Sequence, residues 1–171
     1  MIQKKVCMIG AFATGKTSLI SRFVRGIFSE KYFTTVGVKI DKHIVDLDGE
    51  EMTLILWDLH GEDEFQRIRK SYLRGSSGCL VVVDGTRQAT LRTAVQLHAD
   101  NEDVIGDVPF ILVINKKDLK DQWELPASEL EKLSKRGWQI IETSAKTGEA
   151  IGDAFYQLAK KMVRKRTSAS P

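Results

Sequence analysis

Cysteine is scarce in this chain: Cys7 and Cys79 are the only two among 171 residues. Both sit in apolar runs, and neither belongs to a set with metal-ligand spacing. A disulfide framework and a cysteine-held zinc are therefore excluded, and the two read as small buried hydrophobes of a reducing compartment. Long apolar runs are also lacking. None approaches the ~20 residues that a membrane span needs. No leader pattern is visible, because strand-like sequence begins almost at Met1. A basic body is lacking too, although the net charge is +3. Lys160, Lys161, Arg164, Lys165 and Arg166 supply five positive charges, with no acid between Lys160 and Pro171, so the rest of the chain is net −2. That balance gives no signal for nucleic acid. The basic end either stays solvated or touches an acidic surface. There is no internal repeat and no linker. What is present is one domain's length, 42% hydrophobic and 29% charged, enough for a full core and a soluble surface.

Strand and helix patterns alternate, which predicts an α/β fold with a mostly parallel sheet. Lys4 to Ile9 reads as the first strand and Lys16 to Arg25 as the first helix. Gly26 to Gly37 has no clean period and reads as a long loop, a feature that is usually functional in a compact domain. Val38–Leu47 and Met52–Trp57 flank Asp48-Gly49, a hairpin signal that puts one antiparallel strand into the sheet. In the charged stretch Asp58 to Gly75, Phe65, Ile68 and Tyr72 have helical spacing. Cys79–Val83 and Phe110–Ile114 are continuous apolar runs, the mark of strands covered on both faces. Leu91, Val95 and Leu97 suggest a helix between them. Pro126 to Lys135 opens another, Trp138 to Ile141 is a short last strand, and Ile151, Phe155, Leu158 and Met162 line a final helix.

Residues 10 to 17, Gly-Ala-Phe-Ala-Thr-Gly-Lys-Thr, fit G-x-x-x-x-G-K-[ST], and they lie between the Val6–Ile9 strand and the Leu19, Ile20, Phe23, Val24 helix. That is the context a phosphate-binding loop requires. Backbone N–H groups from Ala13 through Thr14, Gly15, Lys16, Thr17 and Ser18 would wrap the phosphates, helped by the helix N-terminus. Lys16 would reach the outer phosphates, and the Thr17 hydroxyl would bind Mg²⁺. Asp58-Leu59-His60-Gly61 fits D-x-x-G at a strand end. Asp58 could hold Mg²⁺ through water, and Gly61 would let its N–H approach the terminal phosphate. Asn115-Lys116-Lys117-Asp118 follows the Phe110–Ile114 strand. There Asp118 can accept both N–H donors of guanine, which adenine cannot match. Thr143-Ser144-Ala145-Lys146 follows the last strand, and its N–H groups would face the guanine carbonyl. All of these segments stand at strand C-terminal ends, where an open α/β sheet binds ligands.

With these motifs in this order, the chain resembles the Ras-like small GTPases, and within them the Rab type, over residues 2 to 166. The Rab-like features are Trp57 before the D-x-x-G Asp, Ser71-Tyr72 and Arg74-Gly75 after it, and Glu142 to Gly148. The resemblance implies a P-loop NTPase G domain at residues 1–166, with a six-stranded mixed sheet flanked by helices, and a disordered tail at 167–171. It implies GTP or GDP with Mg²⁺ as ligands. Phe28 would pack edge-on against guanine, and Thr35 would be the second Mg²⁺ hydroxyl. The Asn115, Lys116, Asp118 set would grip the base, and Lys16, Thr35, Gly61 and residue 62 would act on the transferred phosphoryl group. Switch I would run from about Phe28 to Gly37 and switch II from Asp58 to about Arg74, both held by the γ-phosphate. Effectors, exchange factors and GAPs would bind through the switches. No nucleic acid partner, at most weak membrane contact through the basic final helix, and a monomer are expected.

Departures from the family cluster around the γ-phosphate. Glu62 stands where the family has a water-orienting Gln, and an ionised Glu has no proton to donate to the transition state. Phe12 stands where a small residue admits a GAP's arginine. His60 stands where Ala is usual, and its imidazole either adds charge or points outward. Ile40 replaces an aromatic of the effector patch, while Trp57 and Tyr72 are kept. The end Thr-Ser-Ala-Ser-Pro has no C-a-a-X box, so a soluble, cytoplasmic chain is expected. These features leave two functions open: a slow GTP-hydrolysing switch, or a GTP-binding scaffold with little hydrolysis. A P-loop ATPase or kinase fits poorly with Asn-Lys-Lys-Asp.

Overall fold

The computed structural model describes residues 2–26, 28, 38–59 and 68–168, with side chains to 164. Among the described residues, six strands form one sheet in the order β2-β3-β1-β4-β5-β6. They are β1 (Ile2–Gly10), β2 (Val38–Leu47), β3 (Glu50–Leu59), β4 (Gly78–Asp84), β5 (Phe110–Asn115) and β6 (Ile140–Glu142). Only the β2–β3 pair is antiparallel; β1 pairs in parallel with β3 and β4, and β5 with β4 and β6. The hairpin turns where expected. Asp48 and Gly49 both have positive φ, 57° and 94°, as a two-residue primed turn needs. The Asp46 carboxylate also accepts the Gly49 N–H at 2.6 Å.

Alternating residues of the central strands feed two cores. Val6 and Met8 of β1 and Leu80 and Val82 of β4 pack on one face, under α1 (Lys16–Arg25) and the final helix α6 (Ile151–Ser168). Cys7, Ile9, Cys79, Val81 and Val83 point to the other face. There they meet Leu73 of the short α2 (Lys70–Leu73) and Leu91, Ala94 and Leu97 of α3 (Gln88–Asp100). Ile105 of α4 (Glu102–Ile105) and Leu133 of α5 (Ala127–Lys135) join the same core. Apolar residues on both faces explain why β4 and β5 are unbroken apolar runs. Both cysteines are free and buried, and burial pushes both thiols up in pKa.

Several boundaries differ from the sequence reading. β1 begins at Ile2, and β3 runs through Leu59, which places Asp58 inside the strand rather than after it. β6 starts at Ile140; Trp138 instead packs edge-on to Phe110 at 4.8 Å and to His98 at 5.1 Å. α6 continues through Ser168, two residues past the end assigned to the domain. Residues 29–37 and 60–67 lie outside the described residues, and with them Phe65 and most of the expected switch segments.

Candidate functional site

The loop between β1 and α1 is closed by its own side chains. Gly10 ends β1 so close to β4 that an added Cβ would lie 2.3 Å from the Val82 carbonyl oxygen. Ala13 and Gly15 both have positive φ, 60° and 98°. A Cβ on Gly15 would sit 2.2 Å from the Asn115 Nδ2, so no larger residue fits there. The Thr14 hydroxyl donates to the Ala11 carbonyl at 3.0 Å. Lys16 Nζ donates to the Gly10 and Ala11 carbonyls, at 3.0 and 2.8 Å, so the ammonium is folded across the loop. Burial pushes its pKa down to about 8, against an upward pull from Asp58 and a further downward push from Arg87. Gly15, the N-cap of α1, brings no side chain to cap the helix, and the first turn has no acid. N–H groups in that state are an anion cradle.

Thr17 Oγ1 donates to Asp58 Oδ2 at 2.5 Å, joining α1 to the end of β3. A hydroxyl and a buried carboxylate are hard oxygen donors. Few protein oxygens, with water and phosphate completing the shell, are what Mg²⁺ takes. Thr17 and Asp58 fit that ion. Thr35, Gly61 and Glu62, and with them His60, lie outside the described residues.

At the other end of the loop, Asn115 ties three segments together. Its Nδ2 donates to the Thr14 carbonyl at 3.1 Å, and its Oδ1 accepts the Ala145 N–H at 3.2 Å and the Thr143 hydroxyl at 3.4 Å. The Asp118 carboxylate accepts from the Ser144 hydroxyl at 2.7 Å and is exposed, while Ala145 is buried and Lys146 exposed. Lys116 has a positive φ of 70°, which turns the chain between β5 and Asp118. Phe28 is partly buried and packs against the α1 side of the core.

Two features escaped the sequence reading. Asp84, at the end of β4, is buried and accepts from Lys116 Nζ at 2.7 Å, Arg87 Nε at 3.0 Å, and the Thr86 N–H and hydroxyl at 2.9 and 2.7 Å. Burial pushes this carboxyl up, but hydrogen bonds from Lys116, Thr86 and Arg87 outweigh it and hold the pKa below its ordinary value. Arg87 then reaches across to donate from Nη2 to the Phe12 carbonyl at 2.8 Å. The other feature is Trp123, whose Nε1 donates to the Lys116 carbonyl at 2.9 Å and steadies the turn before Asp118. The available signal for Asp84 was an acid closing an apolar strand, as Asp58 does in β3.

A sequence model of the Ras family matches residues 5–164. The chain belongs to the Ras family. It is a Ras-like small GTPase of the Rab type, a GTP-binding switch with a P-loop. Among curated relatives, the Ras-related protein SEC4 of Saccharomyces cerevisiae is 34% identical over 163 residues, covering 91% of this chain and 73% of that protein. The Ras-related protein Rab-4 of Dictyostelium discoideum is 32% identical, covering 94% and 80%. Human Ras-related protein Rab-4B is 31% identical, covering 94% and 76%.

In this small GTPase the Rab-like aromatics lie together. Trp57 and Tyr72 have ring centroids 6.4 Å apart, and Lys5 Nζ sits 3.7 Å over the Trp57 ring. Ile40 pairs with Trp57 across the hairpin and is 48% exposed, so the missing aromatic leaves an aliphatic surface in its place. Phe12, at the rim of the P-loop, is 40% exposed. No helix among the described residues is long and apolar enough to cross a membrane.

Proposed function

We propose that this Ras-family protein is a guanine-nucleotide switch that binds GTP and GDP with Mg²⁺ and hydrolyses GTP slowly. The observation that best supports a nucleotide site is Asn115, whose one side chain couples the P-loop at Thr14 to the loop at Thr143 and Ala145. Asp118 would accept the guanine donors, Ser144, Ala145 and Lys146 would close over the base, and Phe28 would pack against its edge. Ala13 to Ser18 would hold the phosphates. Thr17 and Thr35 would ligate Mg²⁺ and Asp58 would hold it through water; the bound ion would neutralise charge on the outer phosphates. On phosphate binding Lys16 would exchange its loop carbonyls for phosphate oxygens, and the Gly61 N–H would face the terminal phosphate.

Lys16 gives this reading a proton signature. Phosphate beside the ammonium raises the pKa that burial has lowered to about 8. Above that pH free Lys16 is largely neutral. Nucleotide binding there should take up protons, and affinity should fall as pH rises. Calorimetry in buffers of different ionisation enthalpy measures the uptake. A binding enthalpy independent of buffer above that pH would contradict it.

The slow rate follows from Glu62, which can accept from water but gives no donor to the charge that builds on the phosphoryl group. Glu62→Gln should raise the single-turnover rate about tenfold or more, since one transition-state donor is worth roughly 10²–10³. A wild type as fast as Glu62→Gln would count against slow hydrolysis caused by this residue. Phe12 favours a second reading, a GTP-bound scaffold insensitive to arginine-finger GAPs, because its exposed ring stands at the rim of the loop. Phe12→Gly in the Glu62→Gln background should restore the GAP response. Effectors, exchange factors and GAPs would meet the switches and the Trp57–Tyr72 patch. The protein would act as a cytoplasmic monomer, in keeping with its two free buried thiols. Lys160, Lys161 and Arg164 would add only salt-sensitive attraction to anionic lipid, up to ~1 kcal/mol per charge.

A further inference from the structure

We propose that Arg87 is an internal arginine for the terminal phosphate, a cation carried in cis where an outside protein would otherwise have to supply one. The inference rests on the GTP-hydrolysing reading above. Arg87 stands between the end of β4 and the start of α3, on the side of the sheet where the phosphate loop lies. Its guanidinium is fixed at two points, Nε on Asp84 Oδ2 at 3.0 Å and Nη2 on the Phe12 carbonyl at 2.8 Å. Lys16 holds the carbonyls of residues 10 and 11, and Arg87 holds that of residue 12. Two cations therefore line three consecutive residues of one phosphate loop.

A guanidinium carries five N–H donors in a planar fork, and the two contacts occupy only some of them. The Arg87 side chain is 44% exposed, so its outer edge is open to a ligand. Asp84 orients the fork without cancelling it, because Lys116 and Thr86 share the same carboxylate. In hydrolysis, water oxygen bonds to the γ-phosphorus as the bond to the β–γ bridging oxygen breaks. The electron pair leaves with GDP, and the water protons pass to inorganic phosphate and solvent. Negative charge grows on the bridging and γ-oxygens, and a positioned guanidinium stabilises it there. Phe12 and Arg87 then act as a pair: the exposed ring obstructs an arginine from outside, and the carbonyl of the same residue holds one from within. Arg87 does not orient water, so the defect at Glu62 remains and the protein stays slow.

The competing role for Arg87 is a brace between Asp84 and the P-loop, and aluminium fluoride separates the two. With GDP and Mg²⁺, fluoroaluminate mimics the transferring phosphoryl group and needs a cation beside it. The purified protein alone should trap GDP with fluoroaluminate, read as retention of labelled GDP on a filter. Arg87→Lys and Arg87→Ala should lose the trapping while GDP affinity changes by less than about threefold. Single-turnover hydrolysis by Arg87→Ala should be about tenfold to hundredfold slower, less than a fully enclosed arginine finger is worth because this one is half exposed. Free guanidinium ion should restore part of that loss in Arg87→Ala and leave the wild type unchanged. Wild type that binds GDP but does not trap it would overturn the inference, as would variants whose rate and GDP affinity fall together. A protein that binds no GDP at all would overturn the nucleotide reading and this inference with it.

Discussion

Asn115→Ala is expected to release bound guanine nucleotide about a hundredfold faster than wild type and to lower folding stability. The side chain is almost fully buried and holds the Thr14 carbonyl, the Ala145 N–H and the Thr143 hydroxyl. Truncation strands these groups, and each buried polar group left unpaired costs roughly 1–3 kcal/mol. Water entering the gap returns part of that, so a loss of about 2–4 kcal/mol is expected, spread between stability and binding. At ~1.4 kcal/mol per factor of ten, the share that falls on the nucleotide accounts for the release rate. Asn115→Asp should be as damaging, because a carboxylate would face the Thr14 carbonyl with no proton to give. Release of a fluorescent GDP analogue and urea unfolding measure the two parts. A release rate within threefold of wild type would mean that Asn115 does not couple the phosphate loop to the base loop.

Asp118→Asn should redirect base choice while leaving the fold intact. The Ser144 hydroxyl donates to one Asp118 oxygen, and the Asn carbonyl can accept the same bond. What changes is the edge presented to the base. A carboxylate accepts from the ring N–H and the amino group of guanine. Asn instead offers a donor, which suits the carbonyl that xanthine carries in place of that amino group. Losing a charged hydrogen bond costs roughly 1.5–3 kcal/mol, so GTP affinity should fall by about tenfold to a hundredfold or more, and xanthosine triphosphate should gain. Competition of the two triphosphates against a labelled nucleotide reads the swing directly. An unchanged ratio in the variant would place the base elsewhere.

What could be read in advance was whatever lies in a short stretch of chain. The P-loop motif sits between one strand and one helix, although the contacts that exclude a side chain at Gly10 and Gly15 come from Val82 and Asn115, far along the chain. The Asp48-Gly49 turn needs only its own backbone. The unbroken apolar runs of β4 and β5 announce strands covered on both faces. The Asp84–Arg87–Phe12 link was illegible because its partners are 75 residues apart and meet only once β1 and β4 pair. Trp123 is similar: nothing local tells an indole to donate to the Lys116 carbonyl. Trp138 reads as a strand residue by type, but the room beside Phe110 and His98 takes it instead, and β6 begins later. Residue types at strand ends thus pointed to the candidate site, whereas the contacts that hold its parts in place needed the fold.

The central claim is that this protein holds a guanine nucleotide between the P-loop and the Asn115–Asp118 loop. Denaturing the purified protein and separating the released nucleotide by chromatography, alongside competition of GTP against ATP, tests it most directly. GDP or GTP in near-stoichiometric amount, with ATP failing to compete, is the expected result. Released adenine nucleotide, or equal competition by ATP and GTP, would contradict it.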